Sequence, residues 1–438
     1  MKRRASGLFI VAFLAFFALF PELGMGKEWR LSELVRISIE KSPEVKRALL
    51  ASEMALVKKK EALSYYFPTL DLSGELVFLD NPPSAIIPGL PGPVPISEKN
   101  LQRYRLEMNY VVFDFGRRKG ANKIASIGEK LSGESERLTR EEKAFSVARA
   151  VVDLLRARSL SRVASEALEM AKEHARVAEA FYEEGVIPKT GLLEAEVSVK
   201  EAERRLLSAK NRVELAFARL MVELGTELPG DEFRVEDLPQ VELAGGMDED
   251  LKVALARRSE ISLKELAKKM SEEERKLATT EIFPVVFLNS SVSYESNELN
   301  PYRRVYAGVV GVKWNLFSGF RDVQKRRLAA LEAEQLKTDK RKVRDLISLE
   351  VKDAYLKFVE AREQLKVAEA AVEKARENFR MTSERFKEGE ATSSDVIDAQ
   401  FLLTRSMTEE ENARFDLILA GFRRLRARGE FLEWVLGR

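Results

Sequence analysis

The sequence predicts a mixed α+β chain, mostly helical, in which long antiparallel helical hairpins are joined to four membrane-type β-strands and the whole plan is built twice. Three observations predict it. Landmarks recur at fixed spacings along the chain. The helical stretches are too long to fold back into a compact globule. Four short segments alternate apolar and polar residues with a period of two.

The duplication fixes the frame. Glu44 lies 23 residues before Phe67-Pro68, and Glu260 lies 23 residues before Phe283-Pro284. Phe113 precedes Gly185 by 72 residues, as Phe317 precedes Gly389. Gly225 and Gly429 each follow by 40. Only one interval differs: Phe67 to Phe113 is 46 residues and Phe283 to Phe317 is 34. The extra 12 fall around Asn81 to Glu98, which is rich in Pro and Gly and therefore reads as a loop. The predicted organisation is a first repeat over 27–225, a linker over 226–248, a second repeat over 249–429 and a tail over 430–438.

Residues 1–26 read as an export signal. Lys2, Arg3 and Arg4 are basic, Leu8 to Phe20 is an apolar run of 13, and Pro21 breaks it before Gly24-Met25-Gly26. A spanning helix needs about 20 residues, so the run is short for an anchor. Trp29 to Tyr66 has helical periodicity, re-entered at Ser42-Pro43-Glu44 as a fresh first turn. Arg117 to Glu184 reads as one helix of about 100 Å at 1.5 Å per residue. Gly191 to Leu224 is the return helix. The second repeat predicts helices near 250–282, 321–388 and 394–428. Helices of that length bury their apolar faces sideways, in a coiled coil or helical barrel. Ala368, Ala371 and Ala375 share one face on which helices approach closely.

The strands come between the helices. Leu70, Leu72, Leu76 and Phe78 alternate with Thr69, Asp71, Ser73 and Glu75. Leu106, Met108, Tyr110 and Val112 alternate with Arg105, Glu107 and Asn109. Val286, Leu288, Val292 and Tyr294 face away from Asn289, Ser291, Ser293 and Glu295, and Tyr306 to Leu316 continues the pattern. Such faces suit lipid outside and water inside. Four strands cannot close a barrel, and open edges in lipid leave backbone groups unsatisfied. Strands in a membrane therefore require several copies, and three would supply twelve strands beneath a helical barrel.

Composition excludes other classes. Charged residues make up 33% of the chain, yet the net charge is +2, which suits ion-paired helix faces and argues against a nucleic-acid partner. With no Cys there is no disulfide framework, thiolate site or lipidated N-terminal Cys. The single His, His174, sits between Glu173 and Arg176 and reads as a solvated surface residue. No catalytic constellation, metal site or cofactor loop is expected, so the chain is not read as an enzyme.

At this level of detail the chain resembles the TolC family of outer-membrane efflux proteins. The resemblance is carried by Phe67-Pro68 and Phe283-Pro284, by Val112 to Arg117, by Asn315 to Arg321, and by Arg385-Phe386-Lys387-Glu388-Gly389 followed by Asp395 to Gln400. It implies a homotrimer with a twelve-stranded transmembrane β-barrel in the outer membrane and an α-barrel reaching into the periplasm. It further implies a passive exit duct of a tripartite efflux pump or type I secretion system. The partners it implies are a periplasmic adaptor and an inner-membrane transporter of the RND, ABC or MFS type. A stand-alone trimeric porin-like channel and a periplasmic coiled-coil adaptor are the alternative readings.

The candidate site is at the hairpin tips, whose turns are Gly185 and Gly389. Asp395 and Asp398 are three apart and so share a helix face just after the second tip. In the resembled family, acidic rings here line a narrow periplasmic entrance, and Glu194 stands opposite Asp398 in the first repeat. Asp395 also suits a helix N-terminus, a structural alternative that stays open. The family closes its entrance with an Arg–Asp latch. Here those positions are Ala391 and Gly191, and Phe386 stands where a hydrogen-bonding Tyr would be. Closure is therefore expected to rest on packing of Phe181, Tyr182, Ile187 and Phe386.

Overall fold

The computed structural model describes residues 28–228, 234–235, 238–239, 241 and 245–437. The expected export signal and parts of the linker lie outside the described residues. The chain opens on β1 (Glu28–Trp29), α1 (Leu31–Lys41) and α2 (Pro43–Ser64). Then come β2 (Thr69–Phe78), a small hairpin of β3 (Ser84–Ile86) and β4 (Pro93–Pro95), and β5 (Asn100–Phe113). The first hairpin is α3 (Arg117–Glu183) and α4 (Lys189–Leu224). After β6 (Arg234–Val235), the plan returns as α5 (Met247–Arg257), α6 (Ser259–Thr280), β7 (Val285–Glu295) and β8 (Arg304–Lys313). The second hairpin is α7 (Arg321–Lys387) and α8 (Ser393–Arg428), followed by α9 (Phe431–Leu436).

The helix lengths repeat residue for residue. They are 11, 22, 67 and 36 in the first repeat and 11, 22, 67 and 36 in the second. The breaks have local causes. Ser42 stands before Pro43, which disfavours helical backbone at the preceding residue, and it takes φ −62° and ψ 127°. Gly225 and Gly429 end α4 and α8 at φ 69° and 73°, a left-handed cap that glycine adopts without a Cβ clash. A Cβ at Gly225 would also stand 3.2 Å from the Lys41 carbonyl oxygen.

The contacts divide the chain into two units that cut across the repeats. One comprises the residues up to 47, 137–259 and those from 344 on; the other comprises 48–136 and 260–343. In the first unit a core forms where α1, the middle of α3, and the ends of α4 and α8 meet α9. Leu34, Val151, Leu220, Phe422 and Phe431 are buried there. Phe431 packs edge-on to Phe145 at 5.6 Å. Burying one such side chain stabilises by about 1.5–3 kcal/mol. Beside this core, Asp250 of α5 is 1% exposed and accepts from Arg424 at 2.6 Å and Arg428 at 2.7 Å. Arg424 also lies over the rings of Tyr355 and Phe358.

The second unit carries one antiparallel sheet in the order β2-β5-β7-β8. The central pair, β5 with β7, joins the two repeats. β2 and β8 are edge strands within the chain. Register places Leu72 opposite Leu106, Leu106 opposite Val292, and Val292 opposite Tyr306, so these four form one row on one face. On the other face Glu75, Arg103 and Glu295 form a row. The expected alternation through Leu316 is shortened, because β8 ends at Lys313 opposite Val285, the first residue of β7. The loop expected at Asn81 to Glu98 contains the short β3–β4 pair. Pro93 and Pro95 stand in β4, which has no second neighbour, so a missing donor does little harm there.

Candidate functional site

Two surfaces carry chemistry, one in each unit. The first is the sheet. Leu72 is 77% exposed and Tyr306 74%, on the face that also bears Leu70, Leu76, Phe78 and Val310. The opposite face is mostly polar on β2, β5 and β7 and cross-linked, while β8 places Val305, Ala307 and Val309 on it. Arg103 donates to Glu295 at 2.8 Å, and Asn289 donates to Asn109 at 2.8 Å and also to Glu107. Strands of 10 to 14 residues match a hydrocarbon core, which needs about 9–11 tilted residues. A sheet with an exposed apolar face and a bonded polar face suits lipid on one side and water on the other.

The junctions of sheet and helix are built from arginine. Arg117 donates to the carbonyls of Glu281 at 2.8 Å and Phe283 at 2.5 Å, tying the first repeat to the second. Arg118 donates to Asp114 at 2.9 Å and lies 5.0 Å above the Tyr66 ring. Those hydrogen bonds hold the Asp114 carboxyl below its ordinary value despite its burial. Trp314 donates its indole N–H to the Ile282 carbonyl at 2.9 Å and leaves its ring exposed, as an aromatic at a membrane boundary does.

The second surface is the pair of hairpin tips. Both close by the same turn. Gly185 at φ 73° is followed by Val186, which donates to the Phe181 carbonyl at 2.8 Å. Gly389 at φ 77° is followed by Glu390, which donates to the Arg385 carbonyl at 2.8 Å. The helices that start after the turns differ. Thr392 caps α8, and Asp395 returns the favour: its Oδ2 accepts from the Thr392 N–H at 2.8 Å and the Thr392 hydroxyl at 2.7 Å. These bonds hold the Asp395 carboxyl below its ordinary value. The capping role left open in the sequence is therefore realised, and the carboxylate stays ionised. Asp398 and Glu194 are exposed. Asp398 lines a groove of about 590 Å³ between α3, α4 and α8, with Arg205 and Phe401 among its neighbours.

Of the four residues expected to pack at the tips, three meet. Phe386 is 2% exposed, lies 5.5 Å from Phe181, and shares its cluster with Ile187, Ala178 and Val396. Tyr182 stays outside that cluster and is 39% exposed. The clear correction is His174. It is 7% exposed rather than solvated, and its ring meets Phe386 edge-on at 5.0 Å. Glu173 and Arg176 do face solvent and bond each other at 2.8 Å. One residue along a helix turns the side chain by 100°, so charged sequence neighbours say little about His174. Its face is that of Ala171 and Ala178, three before and four after, both buried. That spacing was the available signal.

Rungs join α3 to α8 in antiparallel order. Arg156 donates to Asp416 at 2.6 Å, and Arg162 to Glu411 at 3.0 Å. Gln400 donates to the Ala167 carbonyl at 2.8 Å, and His174 lies 3.0 Å from the Ser393 hydroxyl.

A sheet with one face suited to lipid and one to water, in a chain whose helices are this long, defines the class of a membrane protein with a helical stem. Comparison with known proteins gives the family. Residues 34–226 and 251–421 match the outer membrane efflux protein family, and the chain belongs to it. A search of curated proteins found no match. Among solved structures, the chain is similar to the outer membrane protein VceC of Vibrio cholerae at 17% identity, with TM-score 0.76 and coverage of 91% of this chain and 96% of that one. CusC, described by its transmembrane channel formation, gives 16% identity, TM-score 0.80 and coverage of 94% and 96%. The Campylobacter jejuni CmeC outer membrane channel gives 16%, 0.78, and coverage of 92% and 86%. The chain is thus an outer membrane efflux protein with the fold of these outer membrane channels.

Proposed function

We propose that three copies of this chain assemble into a passive exit duct, after removal of an N-terminal export signal. In this reading the polar sheet face lines the exit and the apolar face meets lipid. The observation that carries it is the sheet itself: four strands with two edges left open inside a membrane. Each unpaired backbone group in hydrocarbon costs several kcal/mol, so other copies must supply the missing neighbours. The energy for transport comes from an inner-membrane transporter of the RND, ABC or MFS type, coupled through a periplasmic adaptor that docks on the hairpin tips. Family membership supports those partners. The tips form the periplasmic entrance, with Asp395, Asp398 and Glu194 as its acidic lining and Phe181, Ile187 and Phe386 packed behind it. Rings of carboxylates favour cations.

The test is electrical. The full chain reconstituted in planar bilayers should conduct, and should select cations over anions. Asp398→Asn should lower that selectivity. A protein that inserts and conducts without cation preference contradicts the acidic lining. A protein that never partitions into membranes contradicts the duct.

A further inference from the structure

We infer that His174, Ser393 and Gly191 form a clasp that holds the two hairpins of one chain together at the entrance, and that acid loosens it. This rests on the reading of the tips as the entrance and names how that entrance is regulated.

The geometry is a relay across three helices. The Ser393 hydroxyl, at the first residue of α8, donates to the Gly191 carbonyl at 2.9 Å, in the first turn of α4. Ser393 is itself buried. His174 Nε2, on α3, lies 3.0 Å from the same hydroxyl oxygen. A hydroxyl has one proton, and it is spent on Gly191, so Nε2 must be the donor to Ser393. That fixes the neutral tautomer with hydrogen on Nε2. A Cβ at Gly191 would lie 3.5 Å from the Ser393 Cβ, so the small residue helps the two helix starts come close. The first repeat thereby grips the second at the positions where the expected charged latch has no counterpart.

The surroundings of His174 are poor hosts for a charge. Phe386, Phe181, Ala175 and Ala178 gather around the clasp. The charged side chains of the neighbouring elements are otherwise engaged or turned outward. On α3, Glu173 and Arg176 pair with each other. On α7, Lys387 acts on Glu173, and Arg385 acts on Asp395. On α8, Asp395 is bound to Thr392. On α4, Lys189 and Glu194 are exposed. Burial accordingly lowers the proton affinity of His174, and the Ser393 contact opposes this only in part.

The sign follows. With the clasp closed, His174 resists protonation; with it open, the imidazole returns towards its ordinary value of 6.5. Above that value neither form holds the extra proton and the clasp has its full strength. As pH falls below it, the open form gains a proton that the closed form resists, so closure weakens until the lowered value is passed. Gln400 and the Ala167 carbonyl make a second buried rung that does not titrate, so the hairpins stay joined further along.

The test compares single-channel records of the full chain, reconstituted in planar bilayers at about pH 7.5 and about pH 5. Wild type should have a higher open fraction at about pH 5 than at about pH 7.5, because the open form takes up a proton that the closed form resists. Ser393→Ala should be more open at both values. His174→Gln keeps a donor where Nε2 stood but has no titration, and should lose the response to acid. A wild type indifferent to pH, a His174→Gln chain that keeps the full response, or a Ser393→Ala chain no more open than wild type at neutral pH overturns the clasp. Absence of conductance from all three proteins overturns the duct reading, and the clasp with it.

Discussion

Two residues show how much a helix hides. His174 reads as solvated because its neighbours are charged, and it is buried because it shares a face with Ala171 and Ala178 instead. Asp250 is the second case. Nothing in Met247 to Arg257 marks it as a buried anchor, because Asp248 and Glu249 beside it suit a helix start equally well. The structure pairs it with Arg424 and Arg428, residues 174 and 178 positions away. Removing one partner from a buried ionic network leaves uncompensated charge and costs about 3–5 kcal/mol. Asp250→Ala is therefore expected to lower the thermal midpoint of the folded chain sharply, while Asp248→Ala, at an exposed position, leaves it close to wild type. Equal midpoints for the two variants would remove Asp250 as an anchor. Thr392 makes a gentler case. Thr392→Ala takes away the acceptor for the Asp395 amide, so that amide should exchange with deuterium faster while amides in the middle of α8 keep their protection.

Among the elements, the helices were the most legible. The lengths of α3 and α7 follow from landmark spacing, and their ends follow from Gly185 and Gly389. Both glycines sit at positive φ, which a Cβ opposes, so Gly389→Ala should strain the tip by about 1 kcal/mol. The strands were legible in their alternation and in the face each residue takes. Their partners were not. The central pair is β5 with β7, and only folding brings Arg103 to Glu295 or Asn109 to Asn289 across that distance in sequence. The β3–β4 hairpin stayed hidden because six prolines lie between Asn81 and Glu98, and proline argues against strands. Among the described residues the two hairpin strands pair with each other, with Asn297 bonding the Ile96 carbonyl and the Glu98 N–H beside them, while β2 and β5 meet from Phe78 opposite Asn100 onward. Replacing the insertion by a short turn like that between β7 and β8 should leave heat resistance of the membrane-inserted protein nearly unchanged. A large loss of heat resistance would give the insertion a structural role.

At the scale of the whole molecule, the duplication carries the architecture. Each repeat supplies two strands and one long hairpin, and the compact units take a share of both repeats. This is why the family resemblance could be read from spacing while identity to the solved relatives is only 16–20%. The site was legible in part. The tips, their turns and the candidate acids were in the sequence, whereas the contacts of the proposed clasp lay in the rotation of α3 and the approach of α8 to α4. The central claim is that a four-stranded sheet with open edges is completed by two further copies of the same chain. Native mass spectrometry of the protein extracted from outer membranes tests it most directly. One dominant species of three chains is expected. A stable, membrane-inserted species of one or two chains would contradict it.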